Sequence, residues 1–208
     1  MHNFIRTVTN FGPDIILYYI QDKIHIMHKK VDKGGVLVHK DKAFWGSIAG
    51  FFIVCIAGTV CHYVYQLTGK NIIAGMLTPV NESVWEHLKL LYFPYIIYTL
   101  TEYFIYGRKI KGFLFSRVFG VICGMIFIPL MFFLYTSLTG KSFVFIDIML
   151  FIISVIISFA VSLDRIVKER DAFSKRSFAA VVIIISVSLL FFGLTFYPPS
   201  TRLFSVPK

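Results

Sequence analysis

Acidic charge is scarce in this chain. Eleven Asp and Glu stand against twenty-one Lys and Arg in 208 residues, and charged residues make up only 15% of the whole. A soluble globular domain carries roughly 25%, so an ordinary solvated surface is excluded. Cysteine is nearly absent. Cys55, Cys61 and Cys123 form no C-x-x-C pair, and each lies in or beside an apolar run. That excludes a disulfide framework and a zinc ribbon, and leaves small buried hydrophobes. No cleavable leader is legible, because the first apolar run, Ile15 to Ile20, covers six residues behind Pro13-Asp14, shorter than a secretory core. No internal repeat is present, which argues against an inverted-repeat transporter. No H-E-x-x-H occurs.

What is abundant is apolar. The hydrophobic set reaches 57% and the mean hydropathy is +0.75. Five stretches exceed the roughly 18 residues needed to span a bilayer as a helix: Ala43–Tyr65, Ser83–Tyr106, Phe113–Leu138, Phe143–Leu163 and Ser177–Tyr197. Their connections are short, so neighbouring spans run antiparallel. The expected fold is all-α, an integral membrane helical bundle of five transmembrane helices. Three segments follow: a basic N-terminal segment 1–42, a transmembrane domain 43–197 and a short tail 198–208. Weak periodicity at Ile16, Ile20, Ile24 and Met27 suggests an interfacial helix in the first segment. His25 and His28 form an H-x-x-H spacing with no carboxylate motif beside them.

A net charge of +10 would suggest nucleic acid in a soluble protein. Here the positives fall between the spans and report topology instead. Arg6, Lys23, Lys29, Lys30, Lys33, Lys40 and Lys42 precede the first span. Arg108, Lys109 and Lys111 follow the second, and Arg165, Lys168, Arg170, Lys175 and Arg176 follow the fourth. The opposite side holds Lys70, Lys141, Arg202 and Lys208. The positive-inside rule then places the N-terminus in the cytoplasm and the C-terminus outside, as in a multi-pass protein of the cytoplasmic (plasma) membrane. Gly46-x-x-x-Gly50 and Gly120-x-x-x-Gly124 allow close helix approach. Pro94 and Pro129, inside the second and third spans, predict kinks.

The informative segment runs from His62 to Pro94. Thr78-Pro79 reads as a helix start, with Asn81 a second candidate cap. On the helix that follows, Glu82 and Glu86 share one face, Ser83 and His87 the adjacent one, and Lys89 lies three residues beyond Glu86. His62 sits at similar depth on the first span. Ionisable groups against lipid cost about 2.5–3.5 kcal/mol each at the bilayer centre, so these residues are expected to face the bundle interior or a wet vestibule at the outer rim. Glu82, Glu86 and His87 are the candidate acid–base residues. Asn81, Ser83, Lys89 and Asp147 are candidates for substrate binding. His62, Glu86 and His87 are candidate ligands for a divalent metal such as zinc, although neighbours on a helix diverge by about 100°. A structural alternative is that the acidic residues only complement the helix dipole and Glu86 pairs with Lys89. Glu102 and Arg117, at matching depth above the cytoplasmic ends of consecutive spans, are expected to form an ion pair.

The segment G-M-L-T-P-V-N-E-S-V-W-E-H-L-K-L-L-Y-F-P, Gly75 to Pro94, resembles a family of small bacterial multi-spanning membrane proteins of unknown function whose hallmark is a P-V-N-E-S-V-W-E-H-x-K block. H-Y-V-Y-Q-x-T-G-K-N, His62 to Asn71, is similar to that family's H-F-x-Y-E-x-x-G block, with Gln66 in place of the usual Glu. The resemblance implies a bacterial cytoplasmic membrane protein and supplies no catalytic role. The residues themselves suggest a small membrane enzyme, a metal-dependent or acid–base hydrolase, or a binding protein for a lipid-like amphiphile at the outer leaflet. The other readings are a transporter or channel subunit and a non-catalytic membrane partner.

Overall fold

The computed structural model describes residues 34–168 and 175–206, with the side chains of 40–168 and 177–206. Among them every regular element is helical. The long helices are α1 (Gly34–Leu67), α3 (Val84–Ile105), α4 (Phe113–Thr139), α5 (Val144–Val167) and α6 (Lys175–Phe196). A short helix, α2 (Ile72–Leu77), interrupts the α1–α3 connection, which the sequence presented as plain loop, and one 3-10 turn (Gly107–Lys109) links α3 to α4. The expected interfacial helix and the His25–His28 pair lie outside the described residues. α1 begins earlier than the expected span and runs unbroken through Ala43. The helices also continue through Pro94 and Pro129.

Four of these helices have the length and apolarity to cross a membrane: α1 over 40–67, α4, α5, and α6 over 177–196. The protein is membrane-embedded on that composition. α3, the second expected span, does not reach the same apolarity. It carries Glu86, His87, Lys89 and Glu102 within twenty-two residues, and thirteen of the twenty-two are buried. The reason is its position. α3 is packed by α1, α4 and α6, so Glu86, Lys89 and Glu102 meet protein and find partners there, while Ile97, Phe104 and Ile105 stay exposed.

Local chemistry sets the boundaries. α1 ends at Gly69, whose φ of +67° suits a residue without Cβ. Its N–H reaches the Gln66 carbonyl, while the Lys70 N–H reaches back to Tyr65, the paired closure of a Schellman motif. α2 is capped by Asn71, whose Oδ1 accepts from the Ile73 N–H at 2.8 Å. The predicted helix start at Thr78-Pro79 is displaced. Thr78 instead closes α2, its hydroxyl returning to the Ala74 carbonyl, and α3 starts behind Ser83, whose Oγ accepts from the Glu86 N–H at 3.4 Å.

The core surrounds α3. Leu91, Tyr92, Tyr95 and Ile96 pack with Val54 of α1, Val118 and Val121 of α4, Val155 and Phe159 of α5, and Phe191 of α6. α4 and α5 form the tightest helix pair. Their seam sets Gly120 and Gly124 against Ser154, Ser158 and Ser162, and a Cβ on Gly124 would sit 2.7 Å from the Ser154 carbonyl oxygen. Small residues permit this approach, which replaces the hydrophobic effect that lipid cannot supply. α6 docks through aromatic contacts: Phe191 lies 4.9 Å from Trp85 and 5.2 Å from Tyr92, ring to ring. The last turn of chain folds back, so that the Leu203 carbonyl accepts the Trp85 N–H at 3.0 Å and Phe204 covers the Trp85 ring at 5.0 Å.

Candidate functional site

Two polar clusters lie at opposite ends of α3, and a third, more open group gathers beside its N-terminal end. At the C-terminal end, Arg117 of α4 is fully buried, and its Nη2 donates to Glu102 Oε1 at 2.8 Å. Its Nη1 donates to Ser47 Oγ at 3.0 Å and Ser162 Oγ at 2.9 Å. The Tyr106 hydroxyl donates to the same Glu102 oxygen. One guanidinium thus ties α1, α3, α4 and α5 together. A planar fork of donors is suited to this, where a lysine point charge would serve one partner at a time. The ion pair was legible from depth alone, but Ser47 and Ser162 were not, because a lone serine in an apolar run carries no distinguishing signal.

At the N-terminal end, Glu86 and Lys89 form a second buried pair. Lys89 Nζ lies 2.8 Å from Glu86 Oε2 and also donates to the Gly75 carbonyl at 2.8 Å. Glu86 further accepts the Val80 N–H at 3.0 Å and the Thr195 hydroxyl at 3.0 Å. In the familiar capping box an acidic residue at this position turns back to the cap N–H. Here that N–H, of Ser83, is taken by Asn81 Oδ1 at 2.9 Å, which frees Glu86 to hold the Gly75–Val80 turn against α3 and α6. Glu86 and Lys89, assigned from the sequence to catalysis, metal and substrate, are therefore enclosed and fully engaged. Asn81 and Ser83 are engaged in the turn and the cap.

The third group is the one that stays open. His62 of α1, Glu82 of the turn and His87 of α3 converge so that one ligand atom from each lies within 4.8 Å of the others. His87 Nε2 is 3.3 Å from Glu82 Oε2, and His62 Nε2 is 3.9 Å from Glu82 Oε1. The imidazole centroids are 5.4 Å apart. Both imidazoles are partly buried, whereas Glu82 is exposed. The ligand set expected from the sequence was His62, Glu86 and His87; the set assembled by the fold has Glu82 in place of Glu86. The reason is rotational. Glu86 and His87 are adjacent on a helix and point about 100° apart, so the inward turn of Glu86 sends His87 toward α1. Glu82 precedes the helix and is not bound by that phase.

One contact constrains the chemistry. His87 Nδ1 lies 2.9 Å from the Ser83 carbonyl, and a carbonyl only accepts, so Nδ1 carries the proton. A neutral His87 then turns a bare Nε2 lone pair toward a carboxylate oxygen at 3.3 Å. A cation placed between these two acceptors would satisfy both, and a metal ion is one that could. An imidazole whose other nitrogen is fixed by a backbone carbonyl is the usual arrangement of a metal-ligating histidine. A tetrahedral zinc site with bonds of about 2.0–2.1 Å separates its ligand atoms by about 3.3 Å, so the His87–Glu82 edge already has the required length.

Asp147 does not join this group. It accepts from the Tyr135 hydroxyl across the α4–α5 hairpin at 2.5 Å, while Lys89 is engaged by Glu86 and the triad is made of other residues. The cysteines are free and half-buried, in line with small hydrophobic packing. Trp85 packs between the rings of Phe191 and Phe204.

No curated protein and no solved structure matches the chain. A family model does, over residues 36–206, a stretch that holds all six helices but Gly34 and Gly35 of α1, together with both buried ion pairs and the histidine–glutamate triad. The chain belongs to the Family of unknown function (DUF6512).

Proposed function

We propose that the protein is a five-span membrane protein of the cytoplasmic membrane that holds a divalent metal ion between His62, Glu82 and His87 at its outer rim, and that it uses the remaining coordination position to bind or hydrolyse a ligand. The observation that carries this reading is the convergence of two imidazoles and a carboxylate, with the Ser83 carbonyl directing the His87 Nε2 lone pair at Glu82. Two nitrogen ligands and one oxygen ligand leave a fourth position for water. A zinc ion there would lower the pKa of that water to about 7 and polarise a carbonyl or phosphoryl oxygen.

The topology has separate support. α3 has the length of a span, and its Glu86, Lys89 and Glu102 are buried against its neighbours, so it crosses among α1, α4 and α6 without exposing these charges to lipid. The end that carries Arg117 and Glu102 also carries Arg108, stacked over Phe104 at 4.3 Å, and Arg165, stacked over Phe119 at 3.9 Å. Such a basic rim belongs on the cytoplasmic side. It leaves the triad outside, with residues 1–42 as a cytoplasmic segment and 198–208 as an outer tail.

The test is metal analysis of the purified full-length protein. About one zinc or similar ion per chain is expected in the wild type, lost in His62→Ala and His87→Ala and kept in Glu102→Gln. No stoichiometric metal in the wild type, after incubation with zinc, would remove the metal centre.

A further inference from the structure

Resting on that reading of the triad, we propose that the ligand of the site is a membrane amphiphile with an anionic oxygen headgroup, a phosphate or a carboxylate, and that it reaches the metal from the lipid leaflet rather than from bulk water. The charge on the site sets the headgroup. A divalent ion with two neutral imidazoles and one carboxylate keeps a net charge of +1, and its open position therefore favours an anionic oxygen over a neutral one. No other charge in the cluster cancels it. The nearest ionisable neighbours in the chain, Glu86 and Lys89, neutralise one another behind the turn. Lys70, exposed in the turn between α1 and α2 with a φ of +61°, adds a second positive charge at the same rim.

The surroundings of the site set the route. Next to His62, with its ring edge against the imidazole at 5.2 Å, is Tyr63, itself exposed. Between there and the Glu82 turn three large apolar side chains stand exposed: Leu67 is 82% accessible, Ile72 68% and Ile73 70%. Left in water, each such side chain forgoes the stabilisation of burial, which the acyl boundary supplies. Exposed polar residues are interleaved with them, Thr68, Gly69, Lys70 and Asn71 standing between Leu67 and Ile72, and Asn81 and Glu82 follow beyond α2. This is the pattern of an element lying in the interfacial plane. α2 is held against the end of α1, where Gly75 packs on the Tyr65 ring, in the connection that joins His62 to Glu82. A lipid in that layer would lay its chain along Leu67, Ile72 and Ile73 and present its headgroup to the metal. Charge and apolar surface thus fit one occupant.

The experiment uses the full-length protein in nanodiscs of neutral phosphatidylcholine, loaded with cobalt(II) as a visible substitute for zinc. Including phosphatidic acid in the discs should change the cobalt d–d spectrum in a saturable way, and millimolar inorganic phosphate added to neutral discs should not. Ile73→Gln and Leu67→Gln, both at exposed positions, should weaken the lipid response about tenfold while leaving cobalt affinity unchanged. A cobalt spectrum indifferent to phosphatidic acid would overturn this inference and leave the metal site standing. An equal response to inorganic phosphate would also overturn it, in favour of entry from water, as would a lipid response untouched by both substitutions. Failure to bind cobalt at all removes the metal centre itself and this inference with it.

Discussion

Replacing Arg117 by methionine should be among the most damaging single changes in the protein, and a second substitution should recover much of the loss. Arg117 is fully buried and makes bonds to three side chains, Glu102, Ser47 and Ser162. Its removal affects them unequally. Ser47 still donates to the Ala43 carbonyl and Ser162 to the Phe159 carbonyl, so both hydroxyls remain satisfied. Glu102, at 3% accessibility, is left with Tyr106 as its donor and no counter-charge. Stranding one member of a buried pair costs about 3–5 kcal/mol. For a chain of this size that corresponds to a fall in melting temperature of about 6–20 °C. Glu102→Leu should cost a similar amount by stranding the guanidinium. The double variant leaves only Tyr106 short of an acceptor, so its loss should fall at least about 2 kcal/mol below the sum of the two singles. The assay is equilibrium unfolding in mixed micelles, or thermal unfolding in one fixed detergent, for all four proteins of the cycle. Additive losses would show that Arg117 and Glu102 do not stabilise one another and would refute the four-helix tie.

Two further outcomes follow from the same reasoning. Gly124→Leu should lower stability by about 1–3 kcal/mol, read as a fall in melting temperature, because its Cβ would lie 2.7 Å from a backbone oxygen of α5 that cannot rotate away; unchanged melting would mean that the α4–α5 seam is looser than described. Lys89→Met should weaken zinc affinity about 10–100-fold although Lys89 touches no ligand, since it releases the Gly75 carbonyl and with it the turn that carries Glu82. An unaltered affinity, measured by competition with a chelating dye, would show that the turn is held without it.

The sequence determined a good deal by itself. Long apolar runs can do little but form helices in a membrane, because every backbone donor must be satisfied within the segment; α1, α4, α5 and α6 were legible for that reason. The depths of Glu102 and Arg117, counted from the ends of their spans, brought those residues to one level with no knowledge of packing. The short loops dictated antiparallel neighbours. Three things required the tertiary structure. The placement of α3 at the centre explains how a helix with four ionisable residues belongs in this bundle, and burial is a property of neighbours that composition does not contain. The start of α3 at Ser83 rather than Thr78 put Glu82 before the helix, where the face-sharing rule that paired it with Glu86 no longer applies. The choice between two nearby carboxylates was made by partners distant in the chain: Thr195 of α6 and Lys89 draw Glu86 inward, and His62 of α1 meets Glu82 outside. Helical phase is a local quantity, read from spacing; which carboxylate ends beside the imidazoles depends on contacts between segments that only the folded chain brings together.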